Sequence, residues 1–175
     1  MGNGGLFVAR SSGGSLMLDP RMETLARNLI NYSCRLKKGE TVLIEATDIP
    51  EEMVVQLVRA ARKAGGKTLV TQKHNLVTRE IYRGASEAEI KQYASCELFR
   101  MKKADAYIGL RGAYNVTELG DVPAAKLKQY QKHWWQPVHV KQRVNKTKWV
   151  VLRWPTPSMA QQAGKAIRGQ RDERR

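Results

Sequence analysis

The chain has 175 residues, 42% apolar and 27% charged, which fits one globular domain large enough to bury a core without a disulfide or metal staple. Two cysteines, Cys34 and Cys96, are too few for a secreted disulfide scaffold, and no apolar stretch approaches the roughly 18 residues of a membrane-spanning helix. The net charge is +15, and it points to an acidic partner: nucleic acid, an anionic surface or another polypeptide.

Residues 1–18 hold five glycines and three serines without periodicity and read as a disordered leader. Asp19-Pro20 is a helix N-cap followed by proline at the first helical position. Met22, Leu25, Ala26, Leu29 and Ile30 then form one apolar stripe, and Lys37-Lys38-Gly39 supplies the expected stop. Thr41 to Ala46 is almost continuously apolar, as in a strand covered on both faces. Asp48-Ile49-Pro50-Glu51 has capping-box spacing and opens a helix carrying Met53, Val54, Leu57, Val58 and Ala61 inward to Gly65-Gly66. Lys67 to Thr71 is a second strand, which completes a βαβ unit with a right-handed crossover.

Ser86 to Glu89 is a second capping box, opening a helix with Ile90, Tyr93, Ala94, Leu98 and Met101 on one face. Ala106 to Leu110 is the third strand, with Gly109-Leu110-Arg111-Gly112 as the turn after it. Pro123 starts a helix through Leu127 and Tyr130 towards Pro137, and Trp149 to Trp154 is the fourth strand. Thr156-Pro157 caps a last short helix ending at Gly164. The pattern predicts an α/β fold, a mostly parallel sheet of about four strands between helices, Rossmann-like in topology.

The catalytic inventory is thin. Ala46-Thr47-Asp48-Ile49 stands where a dinucleotide fold carries G-x-G-x-x-G, and there is no phosphate-binding glycine loop with its lysine. His74, His133 and His139 match no zinc pattern, and neither cysteine neighbours a histidine. Arg111 stands where α/β sheets bind ligands and could meet an anion, although simple turn chemistry explains its glycines. Glu45 and Asp48 end the first strand without a visible partner: Asp48 reads as a cap and Glu45 as solvent-facing.

The charge is lopsided. Residues 1–121 carry 18 Lys and Arg against 14 Asp and Glu, while 122–175 carry 13 against 2. In the basic part Lys126, Lys128, Lys132, Lys141, Arg143, Lys146, Lys148 and Arg153 interleave with Tyr130, Trp134, Trp135, Trp149 and Trp154. Cations beside stacking rings suit single-stranded nucleic acid, whereas core rings under a solvated lysine face are the plainer reading.

Asp19-Pro20-Arg21 with Leu25-Ala26, then Asn31-Tyr32-Ser33, Leu36-Lys37, Gly39-Glu40 and Val42-Leu43-Ile44, resembles the start of the aminopeptidase T and aminopeptidase S family. The resemblance continues at Asn115, Leu119, Val122-Pro123 and Lys126, and closes with Trp149 and the run Arg153 to Gly164. It implies an N-terminal domain, residues 19–164, of a metal-dependent aminopeptidase that removes N-terminal amino acids from peptides. The complete family enzyme uses two divalent ions, zinc or cobalt, bound in a C-terminal domain. Its metal ligands and catalytic acid/base lie beyond the matching region, so no catalytic or metal-binding residue is carried over, the substrate-binding residues stay unassigned, and no cofactor is expected in this chain. Residues 165–175 read as an unrelated basic tail. The expectation is a cytoplasmic fragment, inactive alone, that docks on an acidic catalytic domain or a homodimer partner, with nucleic acid as the alternative.

Overall fold

The computed structural model describes residues 19–115 and 117–162. The expected leader 1–18, the tail 165–175 and the helix end at Gly164 lie outside the described residues. Helix α1 (Pro20–Asn28) is capped by Asp19, whose carboxylate accepts from the Arg21 amide at 2.9 Å. The helix does not run on to Lys37-Lys38-Gly39 as its stripe suggests. It widens into a π-helical turn (Leu29–Ser33) and stops, because Cys34 and Leu36 must both turn back into the core. The reversal uses left-handed conformations at Arg35 (φ 45°) and Gly39 (φ 85°).

Strands β1 (Thr41–Thr47), β2 (Lys67–Lys73), β3 (Ala106–Arg111) and β4 (Lys148–Arg153) form one all-parallel sheet in the order β2-β1-β3-β4. The architecture is the expected α/β sandwich. The central strands β1 and β3 are the most buried, as a doubly covered parallel sheet requires, whereas β4 is as apolar in sequence but stays partly exposed at the edge. Gly109 and Arg111 belong to β3 rather than to a turn, so the chain leaves the strand only at Gly112.

Helices α1 and α2 (Glu51–Lys63) cover one face, packing Ile30, Met53, Leu57 and Ala61 on Val42, Ile44, Ile108 and Leu110. Helix α4 (Glu87–Lys102) and a long π-helix (Gln131–Val144) cover the other, with Ala94, Met101, Trp134 and Val138 against Leu43 and Tyr107. Helix α4 starts at the expected capping box: Glu89 N donates to Ser86 Oγ, and Ser86 N to the Glu89 carboxylate. Two smaller helices, α3 (Asn75–Gly84) and α5 (Ala124–Tyr130), lie beside them, and α6 (Pro157–Gln162) follows β4.

Three local expectations change. Pro137 does not end the helix begun at α5: winding continues through it as the π-helix to Val144. The buried residues Trp134, Val138 and Arg143 recur at intervals of four and then five, the wider period of i→i+5 winding. Helix α2 has Pro50 as N-cap with no side-chain cap, so Asp48 and Glu51 form no capping box. Helix α3 has no counterpart in the sequence reading.

Candidate functional site

Open parallel sheets bind ligands beyond the carboxyl ends of their strands, where the strand order reverses. Here that point lies between β1 and β3. Glu45 approaches it on β1 and is buried rather than solvent-facing. Its Oε1 accepts from the Tyr107 hydroxyl at 2.9 Å, and its Oε2 from Lys73 Nζ at 3.0 Å. Lys73, the last residue of β2, also reaches Glu97 of α4 at 3.2 Å. Arg143 of the π-helix is only 1% exposed, with its guanidinium 3.7 Å from the Tyr107 ring centroid and 3.8 Å from Glu45.

Two carboxylates and two cations thus neutralise one another in a largely buried cluster. Burial alone pushes the Glu45 carboxyl up, but Lys73 and Arg143, with the hydrogen bonds from Lys73 and Tyr107, outweigh it and hold the group below the usual carboxylate range. Burial likewise opposes the charge on Lys73, and Glu45 and Glu97 overcome it, so the ammonium stays protonated. Burial and the neighbouring charge of Glu45 keep the Tyr107 phenol protonated. His139 lies beside this group, its Nδ1 3.3 Å from Arg143 Nη1. Burial, then the Arg143 and Arg111 charges, pull its pKa down, so the neutral ring accepts at Nδ1 and carries its proton on Nε2.

Asp48 follows β1 in a left-handed conformation (φ 49°). Its buried carboxylate takes the Asn75 amide at 3.2 Å and faces His74 Nδ1 at 3.2 Å. It therefore serves an orphan amide at the start of α3, not of α2. The His74 side chain is 71% exposed, so one imidazole edge is held by Asp48 while the other faces solvent. Asn75 Nδ2 donates to the Gly112 carbonyl, and Gly112 N to Thr47 O, which closes the end of the sheet. A Cβ on Gly112 would lie 2.2 Å from the Asp48 carbonyl oxygen, so the β3 exit needs glycine for a close backbone approach.

The remaining sequence candidates scatter. Arg111 pairs in register with Arg153 of β4, placing two guanidinium-bearing residues side by side at the carboxyl end of the sheet. His133 stands apart, with Nε2 2.8 Å from Glu87. Cys34 is buried, and its desolvated thiol is pushed up to about 11, whereas Cys96 is exposed on α4. The rings of the basic stretch divide: Trp134 is buried and stacks on Tyr130, while Trp135 and Trp149 are 37% and 45% exposed. Sequence reasoning missed Lys73, Glu97 and Tyr107; the available signal was a carboxylate, Glu45, inside an otherwise apolar strand.

The sequence profile of the thermophilic metalloprotease (M29) family matches residues 18–173. This chain belongs to the M29 metalloprotease family. The structure of wild-type AmpT from Thermus thermophilus shares its fold, with a TM-score of 0.61 at 19% identity over 79% of the M29 chain. The chain spans 37% of the length of that AmpT. The CurK enoyl reductase structure overlaps 82% of the chain and 44% of its own length at 13% identity, with a TM-score of only 0.33. No curated protein sequence matches.

M29 proteins are metalloproteases, and a metal centre needs several donor side chains held together. Among the described residues no three His, Cys, Asp or Glu side chains come together to hold an ion. Glu45 and Glu97, the carboxylates drawn closest, share the Lys73 ammonium instead. These residues do not fit a metal centre.

Proposed function

We propose that this chain is the N-terminal α/β domain of a metal-dependent aminopeptidase that removes N-terminal amino acids from peptides, and that it does not hydrolyse peptides by itself. The observation that carries the reading is the family match over 18–173 combined with a carboxyl-end cluster whose acids are already neutralised by Lys73 and Arg143. The domain supplies a rigid wall: Glu45, Tyr107, Lys73 and Arg143 lock β1, β2, β3 and the π-helix together. Peptide substrates and the two ions, zinc or cobalt, belong in this reading to the complete enzyme.

We place the contact with an acidic catalytic domain or a second copy of the chain on the exposed apolar side of α3, where Leu76, Val77 and Ile81 face solvent. A cytoplasmic setting is supported by two free thiols, and among the described residues no helix is long and apolar enough to cross a membrane.

The deciding experiment is hydrolysis of aminoacyl-nitroanilides by the purified chain with no metal, with zinc and with cobalt. No release above buffer is expected in any condition; metal-dependent release overturns the reading.

The second reading is a module for single-stranded nucleic acid, supported by Trp135 and Trp149 exposed on the basic stretch. Trp134 and Arg143, buried in the domain, take no part in it.

A further inference from the structure

On the sheet face opposite the ionic cluster, α1 and α2 leave between them a cavity of about 550 Å³. Its size falls within the roughly 300–1,000 Å³ of small-molecule sites. Arg27 and Glu23 of α1, Asn31 of the π-turn, and Gln56, Arg59 and Lys63 of α2 line it, with Ala60 and Ala64. Arg27, Arg59 and Lys63 are exposed at the rim, and none forms an ion pair among the described residues. A minority of the chain's other cations do pair: Arg79 with Asp121 and Glu118, Lys73 with two glutamates, Lys148 with Glu40.

Gln56 is the telling residue. It lines the cavity yet is only 6% exposed, and its amide has no hydrogen-bond partner among the described residues. Its amide atoms are not among the fully buried polar atoms left without a partner, so they open onto the cavity, where a ligand can take up their donor and acceptor capacity. Three cations converge on it against a single carboxylate, Glu23, which leaves an excess of two positive charges over an amide-bearing floor.

We propose that the cleft between α1 and α2 binds a small anion carrying at least two negative charges, a phosphate ester or a polycarboxylate. Arg59 and Lys63, four apart on α2, and Arg27 from α1 clamp the charged groups. Gln56 beneath and Asn31 at the exposed edge donate or accept at the ligand's polar atoms. Charge-assisted bonds to guanidinium supply affinity and orientation together, while the alanines 60 and 64 leave room for the ligand body.

The test is calorimetric titration of the full chain with pyrophosphate and, separately, with citrate, at low ionic strength. Saturable one-site binding of at least one probe is expected, and the stronger probe identifies the phosphate or carboxylate class. Each of Arg59→Ala and Lys63→Ala should weaken it about tenfold, and Gln56→Leu should weaken it with the charge unchanged. A control triple variant, Lys132→Ala, Lys141→Ala and Lys146→Ala, removes three charges elsewhere, more than either single variant, and should leave the affinity unchanged. No saturable binding of either probe overturns the site. An equal loss in the control variant also overturns it, because the binding is then general attraction to a +15 chain. Side-chain amide resonances of Gln56 and Asn31 should shift on saturation, a readout independent of affinity.

Discussion

The Tyr107 hydroxyl donates to Glu45 Oε1 at 2.9 Å, bridging the central strands β3 and β1 on the buried face. The hydroxyl has room because residue 109 is glycine: a Cβ there would stand 2.8 Å from the Tyr107 oxygen. Tyr107→Phe leaves the buried carboxylate one donor short and should cost about 1–3 kcal/mol of unfolding free energy. Gly109→Ala displaces the same hydroxyl. The two changes should therefore cost less together than the sum of their separate effects, measured by urea denaturation.

Acid should unfold the domain through the same cluster. Glu45 has a folded-state pKa held below its ordinary value, so its stabilisation is complete above the unfolded value of about 4.3 and is lost as pH falls through the folded one. Unfolding free energy should decline steadily below about pH 4.5. Glu45→Gln should lower stability at pH 7 by about 3–5 kcal/mol, since Lys73 and Arg143 lose a buried partner, and should flatten the acid slope. An unchanged slope in the variant would remove Glu45 from the explanation.

Much of this architecture is legible in the sequence. Strands β1 and β3 read as apolar runs because both faces are covered, and α4 announces itself by its capping box. Helix α3 is silent because its cap comes from Asp48, distant in sequence, and because Leu76, Val77 and Ile81 stay exposed. The ionic cluster is silent for a related reason. Glu45 meets Lys73 on the neighbouring strand and Arg143 on a helix whose winding follows neither the 3.6 nor the 2.0 period.

The two thiols should separate cleanly. The Cys34 thiol is buried, with its pKa raised to about 11, and lies near the Tyr107 carbonyl, while Cys96 is exposed. The thiolate is the reactive form, so a disulfide reagent at pH 8 should titrate one equivalent rapidly and the second only in denaturant. Rapid native titration of both would contradict the packing around Cys34.

If the basic stretch binds single-stranded oligonucleotides, its exposed rings must carry the stacking. Trp135→Ala with Trp149→Ala should then weaken binding by about 1–3 kcal/mol per stacked base at constant salt. Fluorescence anisotropy that reports the same affinity for wild type and double variant leaves only charge attraction.

The winding between Gln131 and Val144 fixes how long that segment has to be. Its four-then-five rhythm delivers the indole of Trp134, the valine and the guanidinium of Arg143 to the same side. Deleting one residue between Trp134 and Arg143 would tighten the coil and swing the guanidinium around the axis, away from the tyrosine ring it covers. Homologous chains that keep this contact should vary freely in side chain along the outer surface here, yet show neither insertion nor deletion.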